Sequence, residues 1–272
     1  MRALAAALAL SSLALLAGER TETRTEALKA GSVLSVRSAN GSLRVTSWDK
    51  EQVEIRAEIK EREDHSVKLE VRHTADGLEV EAILPSHSGW SWGGSDGVSM
   101  TLQVPRRLVG HFITSNGRIE VRGLEGRQDI RTSNGTLKIE DIKGDVEART
   151  SNGAFTARNL DGRLKGGSSN GGVTLERVTG GIDLSTSNAG ITAEDLDGRG
   201  QGIDLATSNG SIKVGLGNAK GEIDAKTSNG SVHVDRSGVE LVETGKAWAR
   251  LRIPGSSQTI RLRSSNGSIH LH

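Results

Sequence analysis

An asparagine side chain offers both a hydrogen-bond donor and an acceptor, and in this sequence asparagines return at intervals regular enough to stack. Within Ser-Asn-Gly or a close variant they stand at Asn116, Asn134, Asn152, Asn170, Asn188, Asn209, Asn229 and Asn266, with gaps of 18, 18, 18, 18, 21, 20 and 37 residues. Asn40, in Ser-Ala-Asn-Gly, is an earlier copy. Amides brought into line could bond along a stack, as Asn ladders do in cross-β structures. Acids recur as well, at Asp129, Glu147, Asp183, Asp204 and Asp224, with Arg131, Arg149 and Lys226 two residues further on. An acidic column could collect cations. Exposed ion pairs on a wet sheet face account for it more simply, each worth ~0–1 kcal/mol. His233 and His270 share one offset from their asparagines and His272 follows. A solvated pair explains them, and no metal site or cofactor is expected. Trp90 and Trp92, in the Gly/Ser-rich stretch 86–97, are the candidate binding residues, for a glycan or a partner protein. The competing reading is that they fold back over the end of the repeat.

These groups need elements to hold them in line. Three residues after each asparagine stands an apolar residue (Ile119, Leu137, Phe155, Val173, Ile191, Ile212, Val232, Ile269), and two further on another (Val121, Ile139, Ala157, Leu175, Ala193, Val214, Val234, Leu271). Alternation of this kind marks a short strand with one buried face. A second strand precedes the phrase, through pairs such as Val146 and Ala148 or Ile182 and Leu184. Each repeat therefore reads as strand, Ser-Asn-Gly corner, strand, Gly corner, the second corner carrying Gly126, Gly144, Gly162, Gly180 and Gly198.

Asn-Gly also starts hairpins, so an antiparallel meander fits the same strands. A meander does not require the same Thr-Ser-Asn at every turn, whereas stacking one coil on the next at ~4.8 Å does reward identity. The expected fold is all-β, a β-solenoid (parallel β-helix, right-handed) of coils of about 18–21 residues. At the corner, Gly is expected to accept positive φ, Asn to tolerate it, and Thr or Ser to lead the strand in.

The chain has 272 residues and a net charge of +1, which recruits neither nucleic acid nor an anionic membrane. Aromatics are 2% and cysteine is absent, so the core must be aliphatic and no disulfide framework exists. Arg2 precedes an apolar run from Ala3 to Ala17, the pattern of a secretory signal over residues 1–18 and too short for a membrane span. Glu19 stands where a lipoprotein signal would need cysteine. The mature form is thus expected to be exported and to have no membrane span.

Residues 31–110 read as an N-terminal β region containing the first coil and a smaller antiparallel layer, and 111–272 as the solenoid. Two insertions, near 197–202 and 215–221, fall in the Gly corner, the edge on which solenoids carry functional loops. Ile269 and Leu271 complete a regular strand close to His272. The Asn266 coil is therefore expected to be outermost, its open edge giving weak self-association, unless the degenerate stretch 235–259 folds back as a partial cap.

Taken in order, "ANGSLRVTSWDKEQVEIRAEIK", "LQVPRRL" and the serial "TSNGxIxV" coils resemble the bacterial putative-adhesin family of exported β-strand-repeat proteins, over roughly residues 31–234. The family is related to the head domains of putative autotransporter adhesins. The resemblance implies a β-helical domain exported to the cell envelope. The function expected is a non-enzymatic envelope solenoid, an adhesin or a scaffold or stress component in the periplasm or beyond, with a glycan or envelope protein as partner. The alternative is a carbohydrate-active β-helix, a polysaccharide lyase or hydrolase.

Overall fold

In the Asn134 coil, Gln128–Arg131 runs into the corner and Leu137–Lys143 leaves it. Ile130, Leu137 and Ile139 turn inward and are buried, while Asp129, Lys138 and Glu140 turn outward. The computed structural model describes residues 14–16, 19–61, 66–85, 96–235 and 237–272, and every regular element among them is a strand.

In the middle of the stack, strands entering the corner pair with their counterparts in neighbouring coils, parallel and in register: Gln128 faces Val146 and Ile130 faces Ala148. Strands leaving it do the same, Leu137 facing Phe155 and Ile139 facing Ala157. The two strands flanking one Ser-Asn-Gly belong to different sheets, so the phrase is a solenoid corner and not a hairpin turn. The described residues form two sheets of 13 strands each, mostly parallel, with like residues stacked at ~4.8 Å. Val, Ile, Leu and Ala fill the space between them, joined by Phe112 and Phe155, both fully buried.

The cross-section has a third bend beyond the two anticipated. Asp141, Asn159, Arg177 and Asp195 occupy one column with φ of 56°, 52°, 53° and 56°, and Gly123 and Gly217 extend it. A left-handed residue breaks the two-residue alternation. Glu140 and Asp141 both face outward, and Ile142 then turns in. This creates a third inward column of Leu124, Ile142, Leu160, Val178, Leu196 and Leu216.

At both ends, stacking order departs from chain order. Near the N-terminus, Gly77–Ile83 pairs parallel with Val33–Ser38, and Gly97–Pro105 pairs parallel with Leu43–Trp48. These two strands form a further rung outside the Asn40 coil, and the smaller antiparallel layer expected from the sequence is built onto that rung. The antiparallel strands are Glu19–Ala27, Gln52–Lys60 and Lys68–His73, which cover that rung. The chain then steps back past the Asn40 coil to begin Val109–Thr114. The boundary at 110/111 falls inside this strand, and hydrogen bonding is continuous across it. Of the candidate signal, only Ala14–Leu16 is described, paired antiparallel with 19–21.

At the other end, Thr259–Ser264 lies between Ile203–Thr207 and Gly221–Thr227. Ile269–Leu271 likewise lies between Ile212–Gly215 and Val232–Val234. The Asn266 coil is an interior rung, and the expectation that it forms an open end is overturned. The outermost coil is that of Asn229, covered in one sheet by the hairpin of Glu240–Gly245 and Trp248–Ile253. The added residues at 215–221 carry the chain across the slot that the Asn266 coil fills.

Candidate functional site

The corner asparagines form one unbroken ladder. Each Nδ2 donates to the Oδ1 of the rung before it, from Asn116 to Asn40, then Asn134, Asn152, Asn170, Asn188 and Asn209 in turn, at 2.6–2.8 Å. Asn266 then donates to Asn209 and Asn229 to Asn266, both at 2.7 Å, so the ladder follows stacking order and not chain order. At its start, Asn40 donates to the carbonyl of Asp96.

Inside the corner runs a parallel column of hydroxyls. Thr150 Oγ1 donates to the Gly135 carbonyl at 2.9 Å and accepts from the Gly153 N–H. Thr132, Ser168, Thr227 and Ser264 repeat both bonds. These buried hydroxyls satisfy backbone groups that a corner takes away from water.

The corner glycine has a different cause from the one the sequence suggested. Of this column, only Gly41 has φ in the left-handed range, at 128°, and none of the ladder asparagines does. A Cβ on Gly135 would lie 1.7 Å from the Gly117 carbonyl oxygen, so the constraint is axial crowding between rungs. Ala189 occupies the column once. The second corner does use positive φ, with Gly144 at 133°.

Outside the corner, charges pair along and across rungs. Arg131 grips Asp129 at 2.8 Å and lies 3.7 Å from Glu147, and Arg149 meets Glu147 at 3.1 Å. The interleaved coil places Arg261 between Asp204 and Asp224, and Arg263 between Ala206 and Lys226. Chain-order stacking would instead set the two aspartates against each other. On the other sheet, burial pushes the Glu120 carboxyl up, but hydrogen bonds from Arg44 and Arg118 outweigh it and hold the group below its ordinary range. Asp141 is also held low, first by the amide of Asn159 and then by Arg122.

His233 and His270 lie on adjacent rungs with their rings stacked 4.7 Å apart, and His272 sits 3.1 Å from Glu194. Among the described residues, no group of three His, Cys, Asp or Glu is placed to hold a metal ion. Trp90 and Trp92 lie outside the described residues. Of the other tryptophans, Trp48 donates to the Gln52 carbonyl, and Trp248 is exposed on the end hairpin opposite Gly245, as are Leu241 and Val242 further along that hairpin.

The insertion at 197–202 lines a polar groove of about 450 Å³ on the Gly-corner edge. Asp183, Asp204, Arg163, Arg261 and Gln201 line it, and the Gly200 N–H donates to the Gln258 side chain at its rim. The sequence shows the insertion but not the groove, because Arg261 arrives from the interleaved coil and Gln258 from the residues that lead into it.

No protein-family model matches the chain, and neither does any curated protein. Several solved structures are similar, three of them as follows. One is described as a putative cell adhesion protein from Clostridium sporogenes, at 14% identity over 92% of this chain and 98% of that one, with a TM-score of 0.28. The second is a putative adhesin from Bacteroides fragilis, at 12% identity over 93% and 97%, TM-score 0.35. The third is a putative lipid binding protein from Parabacteroides distasonis, at 13% over 93% and 96%, TM-score 0.42.

Proposed function

We propose that this chain is a non-enzymatic, exported β-solenoid of the cell envelope that serves in adhesion or as an envelope scaffold. The observation that carries the reading is the rung-by-rung repetition of the surface. A continuous amide ladder and columns of paired charges run along the stack. Such a rod offers the same polar groups again and again, which suits many weak contacts with an extended partner. The basic residue and apolar run at 2–17 support export.

Cell fractionation combined with a glycan and matrix-protein binding screen tests this. The expected result is a chain outside the cytoplasm, shortened at its N-terminus, that binds at least one envelope or matrix polymer. An unshortened cytoplasmic chain would overturn it.

The carbohydrate-active alternative rests on one feature, the groove in which Asp183 and Asp204 stand on adjacent rungs. Adjacent rungs at ~4.8 Å bring carboxylates to roughly the separation that retaining glycosidases use. Release of reducing sugar that is lost in both Asp183→Asn and Asp204→Asn would favour this reading over adhesion.

A further inference from the structure

The coil of residues 259–271 joins two parts of the molecule that otherwise do not meet in either sheet. In stacking order it separates the Asn209 coil from the Asn229 coil, with a parallel partner on each side in both sheets. Val232–Val234 pairs with this coil alone. Its inward side chains Ile260, Leu262, Ile269 and Leu271 are at most 1% exposed. Asn266 completes the amide ladder on both sides, and Ser264 bonds the Gly210 carbonyl. The slot is therefore specific for this pattern of residues in apolar spacing, backbone register, ladder amide and charge.

The segment reaches its slot through a short connector. Residues 254–258 lead from Ile253, opposite Gly221, across the start of that strand to Thr259, opposite Glu222. None of the contacts within the slot depends on which molecule supplies the coil. Exchange between copies would keep them all and change only the connector, the condition under which swapping is cheap.

We propose that this slot is an exchange site: it accepts residues 259–271 from a second copy of the chain, joining copies through a swapped coil. The self-association expected from the sequence then arises by exchange of a rung and not by pairing of an open edge. Reciprocal exchange closes a dimer, and one-way exchange leaves an empty slot that recruits a further copy. The connector sets the balance. Removing Gly255, Ser256 and Ser257 leaves three Cα–Cα links, reaching ~11 Å at full extension. That barely covers two strand spacings of ~4.8 Å, and Lys220–Gly221 obstructs the direct path.

Native cysteine is absent, so engineered thiols report cleanly. Lys213 faces His270 across the slot, whereas Thr192 lies one rung further away. Full-length Lys213→Cys and His270→Cys chains are mixed at high concentration, cycled through mild urea and oxidised. The expected result is a disulfide-linked heterodimer at least tenfold more abundant than from Thr192→Cys mixed with His270→Cys. Equal yields in the two mixtures would overturn the proposal. The connector deletion should in addition be dimeric by sedimentation at concentrations where the parent is monomeric. A folded, monomeric deletion variant would overturn the proposal equally. Should the deletion fail to fold, the two cysteine mixtures still decide.

Discussion

The middle of this solenoid and its two ends are built from the same coil but obey different rules of order. From the Asn116 coil to the Asn209 coil, each rung rests on the one that precedes it in the chain. At the ends, the Asn40 and Asn266 coils are tucked one rung inward, and a coil from elsewhere in the sequence lies outside each. Both steps are accompanied by a buried glutamine. Gln128 donates to the carbonyls of Leu108 and Gly126 where the chain steps past the Asn40 coil. Gln258 donates to the Lys220 carbonyl where it steps past the Asn266 coil. Apart from the corner Thr/Ser column, Asp96, Gln128 and Gln258 are the buried polar side chains among the described residues. All three lie in end rungs or beside a step. The difference teaches that a periodic stack satisfies its own backbone, and that a break in order needs side chains to do so.

The largest test asks whether the tucked coil is as interior as the middle. Leu262 is 0% exposed and Leu184 1%. Truncation of either to Ala should cost ~2–5 kcal/mol, by loss of transfer energy and formation of a cavity. Urea unfolding should therefore show Leu262→Ala to be as damaging as Leu184→Ala. A Leu262 effect near zero, with Leu184 costly, would mean that the Asn266 coil frays like a terminal rung.

This contrast also explains what could be read before the structure. From the Asn116 coil to the Asn188 coil, a constant 18-residue gap makes sequence period and spatial period one quantity, so strands, corners and inward columns are legible. The third inward column is hidden from a two-residue alternation because Asp141 and its counterparts reverse it. Ile142, Leu160, Val178 and Leu196 nevertheless all stand eight residues after their asparagine. The corner glycine suggests positive φ because φ is a local property, whereas contact with the rung below is not. At the ends, the long gaps announced added residues without saying where they led. Neither Gln128 nor Gln258 carries a local sign that its amide closes a step in the stack.

A second test sharpens the comparison at those steps. Gln258→Leu leaves the Lys220 carbonyl and the Gly200 N–H without their partner, and Gln128→Leu does the same to Leu108 and Gly126. An unsatisfied buried polar group costs ~1–3 kcal/mol, so Gln128→Leu, which strips the carbonyl of buried Leu108, should lose about that much in chemical denaturation, and Gln258→Leu, whose partners belong to exposed residues, should lose less. Hydrogen exchange should localise the loosening to 216–220 for the first and to 106–108 for the second. Neutral variants would break the idea that the glutamines support the reordered ends.

The ladder gives a smaller effect and belongs to the middle. Asn152 donates to Asn134 and accepts from Asn170. Asn152→Ala should cost ~1 kcal/mol, the usual worth of a hydrogen bond that competes with water. Lys165→Ala, at an exposed outward position, should fall within ~0.5 kcal/mol of the parent. If chemical denaturation finds the two equally mild, the repeated amides are turn formers and the ladder adds little to the stack.

The smallest expected effect lies at the N-terminal end, where acid should act on the clasp of Glu61 with Arg20 and the Val67 N–H. Burial raises the Glu61 pKa, but the hydrogen bonds from Arg20 and Val67 lower it further, to a net value below the ordinary 4.5. A carboxylate whose folded pKa is depressed contributes stability that is fully present above its unfolded value and lost as pH falls through the folded one. The clasp should therefore be intact at neutral pH and weaken only below about pH 4.5, the ordinary Glu value. Because the pair is partly exposed, at 20% and 24%, its worth stays within the ~0–1 kcal/mol of surface ion pairs. Denaturation midpoints of the parent and of Glu61→Gln, measured from pH 7 down to pH 3, should differ at neutral pH and converge in acid. A gap that persists at pH 3 would assign Glu61 a role in packing and not in charge.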